Sequence, residues 1–417
     1  MALTAIRHAS ATKPRVYPWL ADTQPIDIDR VQAFSGGVNQ PQELVYEVGR
    51  LDKVCTDLQI LEESCSLTQL EYGEIDFYLA LANKAATPSG GLQLSDFDDA
   101  LVDIISVGKD KFAGTMEQTL WLPKLSLNSL AFNIADADSR IERTFDLGGD
   151  FFRILKDANK IFMQKIYTVP TGYSTSAWTQ VISDPAPIVN PNVALKYIER
   201  VLRVRAGVTT ELVLTTDYTW VNGTTTLTIL SATTGDIIKV AYTTGSFGTG
   251  GDYTSLNDAD LCYISADSVT VTLESAAQGV EIELDRLTSL NITATLNRIS
   301  EAVIGLNEKL LKNVQTYDVA VALNGRVKDA TIEEVLMGQA GASFGILDPN
   351  FYKVDLVLRV KVYEDATKTT FKMGYKSTGL AFSDTTQDVN ANDFWSNGIN
   401  LASDNLLISD VEGDIDA

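Results

Sequence analysis

The stretch IDIDRVQAF, Ile26–Phe34, decides the fold, because the chain carries a second version of it in EIELDRLTSL, Glu281–Leu290. The Asp29-Arg30 pair of the first stretch matches Asp285-Arg286 of the second at a shift of 285 − 29 = 256 residues. Internal repeats have to be sought before local motifs are interpreted, because a missed repeat gives the wrong fold. Further matches at the same shift would show that the pair belongs to a repeat.

Two more positions match at the same shift. Gly49 in YEVGRL falls on Gly305 in AVIGLN, and Leu67 in CSLTQL falls on Leu323 in VALNGR (305 − 49 = 323 − 67 = 256). Further matches follow in the same order: the amphipathic helix candidates EIDFYLALAN (Glu74–Asn83) and TIEEVLMGQA (Thr331–Ala340), Phe97 with Phe351 at a shift of 254, and Leu130-Ala131-Phe132 with Leu380-Ala381-Phe382 at a shift of 250. The order predicts a duplication of residues 15–165 in residues 278–417.

Each copy has the composition of strands. The runs ALVDIISV and VDLVLRVKVY are rich in β-branched residues and partly alternate, as half-buried strands do. The sequence therefore predicts a mainly β protein with two tandem β-sandwich or barrel domains, each with one short helix. We place the first domain, with an N-terminal arm, at residues 1–185 and the second at 278–417.

A third segment, 186–277, differs in composition and begins after the turn-rich loop SDPAPIVNPN. It carries three β-rich runs, Glu211–Leu214, Thr225–Leu230 and Asp236–Thr243, with Asn222-Gly223 between the first two. Asn-Gly favours a tight hairpin, because both central residues of that turn need positive φ. The segment predicts an inserted β-sandwich of immunoglobulin type, although the Cys…Trp…Cys pattern of antibody domains is missing.

The charge balance argues against DNA binding. The chain has 33 Lys+Arg against 55 Asp+Glu, a formal charge of −22. Such a surface repels phosphates instead of neutralising them. A solvated surface explains the excess in general terms, and a wall that must not hold passing DNA explains it in particular.

Residues for chemistry are scarce. The single histidine, His8, lies in the N-terminal segment, so Ser/His and Cys/His catalysis lack their base. The adjacent carboxylates Asp98-Asp99 and Glu62-Glu63 are more typical of a solvated surface than of a glycosidase pair, and DADSRIERTFD (Asp136–Asp146) does not match an EF-hand. The five tryptophans lack interleaved basic residues and favour core packing or subunit contacts. We predict no enzymatic activity, and no catalytic, cofactor-binding or metal-binding residues.

The termini and cysteines suggest where the chain folds. Residues 1–14 contain no apolar core of a secretory signal, and no apolar run approaches the ~18 residues of a membrane span. Cys55, Cys65 and Cys262 have no paired spacing and are interpreted as buried thiols. We expect folding inside the host cytoplasm and no membrane partner.

Two segments resemble a known family. They are YEVGRLDKVCTDLQILEESCSLTQLEYGEIDFYLALAN and SLAFNIADADSRIERTFDLGGDFFRI. They are similar to tail-tube proteins of tailed phages and related contractile injection particles. The resemblance covers both repeats, about two-thirds of the chain. It implies sandwiches whose strands join around a ring into an inner barrel, with stacked rings forming a channel for DNA.

The resemblance also implies stoichiometry and partners. A chain with two tube domains resembles the duplicated tube proteins of some long-tailed phages, in which three chains make a pseudo-hexamer. The implied partners are further copies of the chain, other tail proteins and DNA that passes without specific binding, all in the virion tail. Two alternatives stay open: another virion component (capsid, decoration or baseplate), or a carbohydrate-binding adhesion module with an exposed aromatic platform.

Overall fold

The computed structural model describes residues 9–11, 14–19, 25–39, 42–46, 53–58, 62–110, 116–136, 138–149, 153–155, 161–183, 186–187, 198–220, 225–245, 263–275, 279–302, 309–326, 355–388 and 396–417. Within these residues the chain is mainly β, with 27 strands in antiparallel sheets and two short α-helices. The predicted fold class is confirmed. No helix among the described residues has the length and apolar character that crossing a membrane requires.

The first unit consists of twelve strands, one helix and a 3-10 turn. These are β1 (Ala9–Ala11), β2 (Arg15–Pro18), β3 (Ile26–Asp27), β4 (Val31–Asn39), β5 (Gln42–Tyr46), β6 (Lys53–Leu58), β7 (Glu62–Leu70), α1 (Asp76–Leu81), β8 (Leu92–Gln93), the turn Leu94–Phe97, β9 (Val102–Asp110), β10 (Met116–Ile134), β11 (Ile141–Gly149) and β12 (Arg153–Leu155). One sheet has the order β4-β7-β11-β10 and the other has β3-β2-β9-β10-β12. The long strand β10 takes part in both sheets.

The second unit has eight strands, a 3-10 turn and a C-terminal helix. These are the turn Ala266–Ser268, β20 (Val269–Ser275), β21 (Val280–Glu283), β22 (Leu287–Ala302), β23 (Lys309–Arg326), β24 (Leu356–Tyr363), β25 (Phe371–Asp388), β26 (Ser396–Ser403), β27 (Leu407–Ser409) and α2 (Glu412–Asp416). Its sheets have the orders β22-β23-β26-β25 and β21-β20-β24-β25-β27. These eight strands have the order and pairing of β2, β3, β4, β7, β9, β10, β11 and β12 of the first unit.

The register agrees as closely as the topology. Phe34 pairs with Leu67 in the first unit and Leu290 with Leu323 in the second, both at the shift of 256 seen in the sequence. Equivalent pairs on the other strands fall at shifts between 254 and 257: Phe145–Leu67 with Ile399–Leu323, Val16–Ile104 with Leu273–Leu358, and Trp121–Ile105 with Lys376–Arg359. The strand pairings support the duplication.

One predicted match was wrong. The sequence paired Leu130 with Leu380, but in the structure Leu380 takes the place of Leu125. Leu125 is the last residue of β10 that pairs with β9, and Leu380 is the last residue of β25 that pairs with β24. Each of the two long strands has a bulge two to four residues later. The two bulges lie at equivalent positions, 255 residues apart, so the short identity LAF, at a shift of 250, occurs at non-equivalent positions of the two strands.

The middle unit has seven strands in two sheets. These are β13 (Ile161–Thr168), β14 (Ser176–Val181), β15 (Ile198–Arg205), β16 (Val208–Glu211), β17 (Tyr218–Trp220), β18 (Thr226–Ala232) and β19 (Ile237–Thr244). The sheet orders are β13-β19-β15-β16 and β14-β18-β17, and β17 and β18 pair on either side of Asn222-Gly223 as a hairpin would. The two sheets enclose their own apolar core, which includes Trp178, Leu227 and Tyr242.

The bounds of the middle unit differ from the predicted bounds of the inserted segment, 186–277. β13 and β14 lie before residue 186 yet pair within the middle unit, and β20 lies before residue 277 yet pairs with β24 of the second unit. Composition marks turn-rich loops, but it does not show which sheet a strand joins. The strand pairs place the middle unit at 161–245.

The predicted helix Glu74–Asn83 is present as α1. Its Phe77 and Tyr78 rings stand edge-on to Phe145 at centroid distances of 4.7 and 5.2 Å, so the apolar face of the helix closes the end of the sandwich. The helix predicted at Thr331–Ala340 and the matches at Gly49, Gly305 and Phe351 lie outside the described residues.

Candidate assembly surface

One sheet runs through both sandwiches. Residues Ser129–Ile134 of β10 pair with Leu290–Thr295 of β22, and this seam joins the two four-stranded sheets edge to edge. The result is a sheet of eight strands in the order β4-β7-β11-β10-β22-β23-β26-β25. The seam makes the two units a single body.

The two faces of this sheet differ sharply in composition. Because side chains alternate along a strand, every second residue faces the core. On β11 the core-facing residues Ile141, Phe145 and Leu147 are at most 1% exposed, whereas Glu142 and Asp146 between them are exposed. The same alternation, wherever the side chains of the eight strands are described, leaves one face of the sheet to solvent.

We name the solvent side the polar face. Its central rows, read across the sheet through directly paired residues, contain Ala33, Thr68, Thr144, Ala131, Thr293, Ala320, Ala402 and Ala381; Ser35, Ser66, Asp146, Ser129, Thr295 and Asp318; and Glu142, Asn133, Asn291, Ala322, Asn400 and Asp384. All are short except one glutamate. Four are carboxylates and none is a lysine or arginine, so these rows carry only negative charge.

Hydrogen bonds hold the carboxylates of the polar face against the sheet. Ser129 Oγ donates to Asp146 at 2.9 Å, and Asn400 Nδ2 donates to Asp384 at 2.5 Å. Each bond links neighbouring strands and leaves the carboxylate exposed. The central rows of the polar face are therefore smooth and anionic.

Both outer edges of the eight-stranded sheet lack a neighbour among the described strands. β4 pairs only with β7, and the distal part of β25, Ala381–Asp388, pairs only with β26. Unpaired strand edges present backbone donors and acceptors to any compatible strand. The two edges are the equivalents of β22 and β10, which pair with each other at the seam.

Buried polar contacts hold the two units in one arrangement. Tyr78 on α1 and Tyr375 on β25 share a hydrogen bond of 3.0 Å, and Tyr375 donates to Glu71 Oε2 at 3.2 Å. The fully buried Arg143 lies 3.5 Å from Glu71. Burial raises the pKa of Tyr78 to about 12, so this hydroxyl stays protonated.

A second polar contact between the two units is made by Arg298 of β22. Its guanidinium donates to the backbone oxygens of Phe97, Asp98 and Leu127 of the first unit at 2.6–2.8 Å.

A separate polar cluster holds the middle unit on the first unit. Asp103 on β9 accepts hydrogen bonds from Trp19 Nε1 at 2.7 Å and from the backbone N–H of Lys124 at 3.0 Å, and it forms an ion pair with Arg200 on β15. Around this cluster, Tyr17, Ile105, Val107 and Trp121 of the first unit pack against Phe162 and Ala241 of the middle unit. The middle unit thus sits on the sheet opposite the polar face.

The structure places several of the residues that the sequence singled out as candidates for chemistry, disulfides or ligand contacts. Asp98 accepts from Tyr317 Oη at 2.5 Å, and Asp99 is exposed. Cys65 is 1% exposed in the main core, as predicted for a buried thiol. Trp19, Trp121 and Trp178 are at most 6% exposed, as expected for core packing, and Trp220 is half-buried. His8, Cys262, Trp395 and the side chains of Glu62, Glu63 and Cys55 lie outside the described part of the chain.

Among the described residues, no group of three or more His, Cys, Asp or Glu side chains is placed to hold a metal ion. The structure brings together a continuous sheet, a polar face and two complementary edges. Sequence analysis missed the seam and the Asp103–Arg200 contact, because both join residues far apart in the chain. The Ser, Thr, Asn and Asp residues at alternate positions of β11 and β22 were a signal for the polar face.

The chain was compared with protein families, curated proteins and solved structures. No family model matches the chain, and no curated protein matches it. A chain from the cryo-EM structure of the anti-feeding prophage (AFP) baseplate, 6-fold symmetrised, is similar at 14% sequence identity. The similarity covers 37% of this chain and 97% of that chain, with a TM-score of 0.26. A TM-score of that size carries no argument, so the functional conclusion rests on the strands themselves.

Proposed function

We propose that the chain is a structural virion protein of a phage tail, a tail-tube subunit that assembles with copies of itself into rings, and that it has no enzymatic role. The observation that carries the proposal is the seam. Inside one chain, the two units already join through β10 and β22, and the equivalents of these two strands, β25 and β4, are the edges that lack a neighbour among the described strands. The arrangement supports head-to-tail addition of further copies.

The seam also gives the register of that contact. At the seam Ala131 of β10 pairs with Thr293 of β22. The equivalent residues by strand pairing are Thr386 on β25, at a shift of 255, and Gly37 on β4, at a shift of 256. Thr386 of one copy should therefore pair with Gly37 of the next. Such a contact is heterologous, and it closes into a ring when the rotation between copies allows.

The strand count indicates the size of the ring. Three copies would supply 3 × 8 = 24 strands to one closed sheet. Strands about 4.8 Å apart and tilted by about 36–45° then give a backbone radius of roughly 23–26 Å. Because the side chains of the polar face are short, little of that radius is lost if this face lines the bore.

An anionic bore suits the passage of DNA. Each cation on the wall would displace counterions and hold a phosphate, and many such contacts would hold the DNA in the channel. Repulsion acts only within about 8 Å at physiological salt, so the carboxylates have to face the bore to matter. Those of the polar face, Glu142, Asp146, Asp318 and Asp384, would do so in a ring of this kind. Passage without specific binding follows.

The direct experiment combines electron microscopy with a cross-link. Negative-stain images of the concentrated protein should show rings or tubes with a central channel. In the double variant Thr386→Cys, Gly37→Cys, oxidation should join copies, because directly paired residues lie within the Cα range that a disulfide tolerates. Non-reducing gels should show two-chain and three-chain species that revert to single chains on reduction.

Shifting one cysteine provides the matched control. Thr386→Cys with Ser35→Cys moves the partner by two residues, to a diagonal distance of about 7–8 Å that disfavours the bond. The single variants control for the native cysteines. Rings without the specific cross-link would refute the register, whereas shells, or a protein that stays monomeric at high concentration, would refute the tube.

A further inference from the structure

The contact between the middle and first units is rich in buried hydrogen-bond donors. On the middle unit, the face that meets the first unit carries Arg200, Lys239 and Gln164, each at most 6% exposed. Lys239 Nζ donates to the backbone oxygen of Pro18 at 2.5 Å, and Arg200 Nη2 reaches the Asp103 carboxylate. Two buried cations thus face one buried carboxylate.

That carboxylate has no remaining acceptor capacity. An ionised carboxylate offers about four lone-pair positions. Asp103 already receives Trp19 Nε1, Trp121 Nε1, the Lys124 backbone N–H and Arg200 Nη2. Any further donor at this contact needs another acceptor.

Three such donors lie around one alanine. Gln164 on β13 and Arg200 on β15 are the direct partners of Ala241 on its two sides, and Thr243 follows two residues later on the same face of β19. Gln164 Nε2, Arg200 Nε and Thr243 Oγ1 are buried and have no hydrogen-bond partner within the described chain. A buried donor without an acceptor costs about 1–3 kcal/mol, so three together indicate a missing acceptor.

The missing acceptor should be negatively charged. Burial lowers the pKa of Arg200 to about 9, although the exposed Glu211 carboxylate raises it. Among the described residues, Lys239 and Arg200 face the single carboxylate of Asp103, and the Trp19 and Trp121 rings also lie against the Arg200 guanidinium. A water molecule would accept hydrogen bonds without balancing the charge, whereas a small anion would do both.

We propose that the contact between the middle and first units binds a monovalent anion of halide size, held by Arg200 Nε, Gln164 Nε2 and Thr243 Oγ1 beside Ala241. The anion completes the charge balance of the contact and fixes the middle unit on the first. The site is independent of the tube role.

Bromide is the probe, because it replaces chloride and scatters anomalously. A crystal of the full chain grown in sodium bromide should show an anomalous peak beside Arg200 Nε and Gln164 Nε2. In solution, the melting temperature should rise as sodium gluconate is replaced by sodium bromide or chloride at constant ionic strength, since a ligand bound only by the folded state stabilises it.

Two variants test whether the dependence arises at this site. Gln164→Glu supplies a carboxylate in place of the anion, so its melting temperature should no longer respond to halide. Thr243→Val removes one donor, so a higher halide concentration should be needed for the same shift. Absence of a bromide peak at Ala241, absence of a halide-dependent shift in the unsubstituted chain, or an equal shift in Gln164→Glu would each overturn the proposal.

Discussion

In the proposed tube, reversing charges on the polar face should make the bore hold DNA. We consider the double variant Asp146→Lys, Asp318→Lys, which changes the net charge from −22 to −22 + 4 = −18. Both carboxylates are exposed, and each accepts one side-chain hydrogen bond, from Ser129 at 2.9 Å and from Asn297 at 2.5 Å. The loss of one exposed hydrogen bond at each site should cost about 1 kcal/mol or less, so the fold should persist.

The size of the effect follows from counterion release. Three copies would place six new lysines around one ring. If between three and six of them contact phosphates, the slope of log K against log salt should lie between about −2.7 and −5.4. Raising the salt from 50 to 200 mM would then weaken binding by roughly 40-fold to 2,000-fold. The unsubstituted rings should show no such binding.

Fluorescence anisotropy of a labelled DNA duplex added to assembled rings measures the DNA affinity and its dependence on salt. The matched control is Glu283→Lys, Glu364→Lys, which gives the same net charge of −18 with substitutions away from the polar face. Equal DNA affinity in the two variants would refute the assignment of the polar face to the bore. A steep salt slope with the unsubstituted protein would refute the anionic wall itself.

Three further predictions concern stability, each measured by urea unfolding. Asp103→Asn leaves the buried Arg200 without its carboxylate and should cost about 3–5 kcal/mol, and a loss below 1 kcal/mol would show that the ion pair does not hold the middle unit. Phe145→Ala empties a fully buried site beneath α1 and should cost about 3–5 kcal/mol, whereas a loss under 1 kcal/mol would show that the site is not tightly packed. Burial raises the pKa of Asp236, but hydrogen bonds from Arg205 outweigh this and hold that pKa below 3.8. The contribution of Asp236 to the free energy of unfolding should therefore be complete above pH 3.8 and lost as the pH falls through the pKa of the folded state. An Asp236→Asn variant whose stability falls with acid as steeply as that of the unsubstituted chain would contradict this prediction.

The duplication could be predicted because short matching segments of the sequence record it. Asp29-Arg30 and Asp285-Arg286 precede equivalent strands, and the shift of 256 holds through β4 and β7. The helix at Asp76–Leu81 was predictable for the same reason, since its apolar residues follow a helical period. Local pattern sufficed where neighbouring residues determine structure.

The features of the fold and of the assembly surface that the sequence did not predict depend on contacts between residues far apart in the chain. β10 has a bulge between Leu127 and Ser129 and β25 has the equivalent bulge between Phe382 and Asp384, so the shift between the two strands stays at 255 and the sequence match of Leu130 with Leu380 is out of register by five residues. The middle unit begins at Ile161 because β13 pairs with a strand some 75 residues later, which no break in composition records. The seam joins strands more than 150 residues apart. Edge complementarity of this kind is visible only once the sheet order is known.

The two units have diverged on the sheet opposite the polar face. Ile105 and Asp103 of the first unit correspond in register to Arg359 and Val357 of the second. The first unit thus offers an apolar surface and one buried carboxylate, which the middle unit covers. The second offers cations, which α2 covers through Arg359 Nε to the Ile415 backbone oxygen at 3.0 Å and through Lys361 ion pairs. Because Val357 supplies no acceptor for the Arg200 guanidinium and Arg359 lies where the apolar contact would form, the middle unit can dock on only one of the two units. A ring with six-fold strand geometry would therefore carry its middle units with three-fold symmetry.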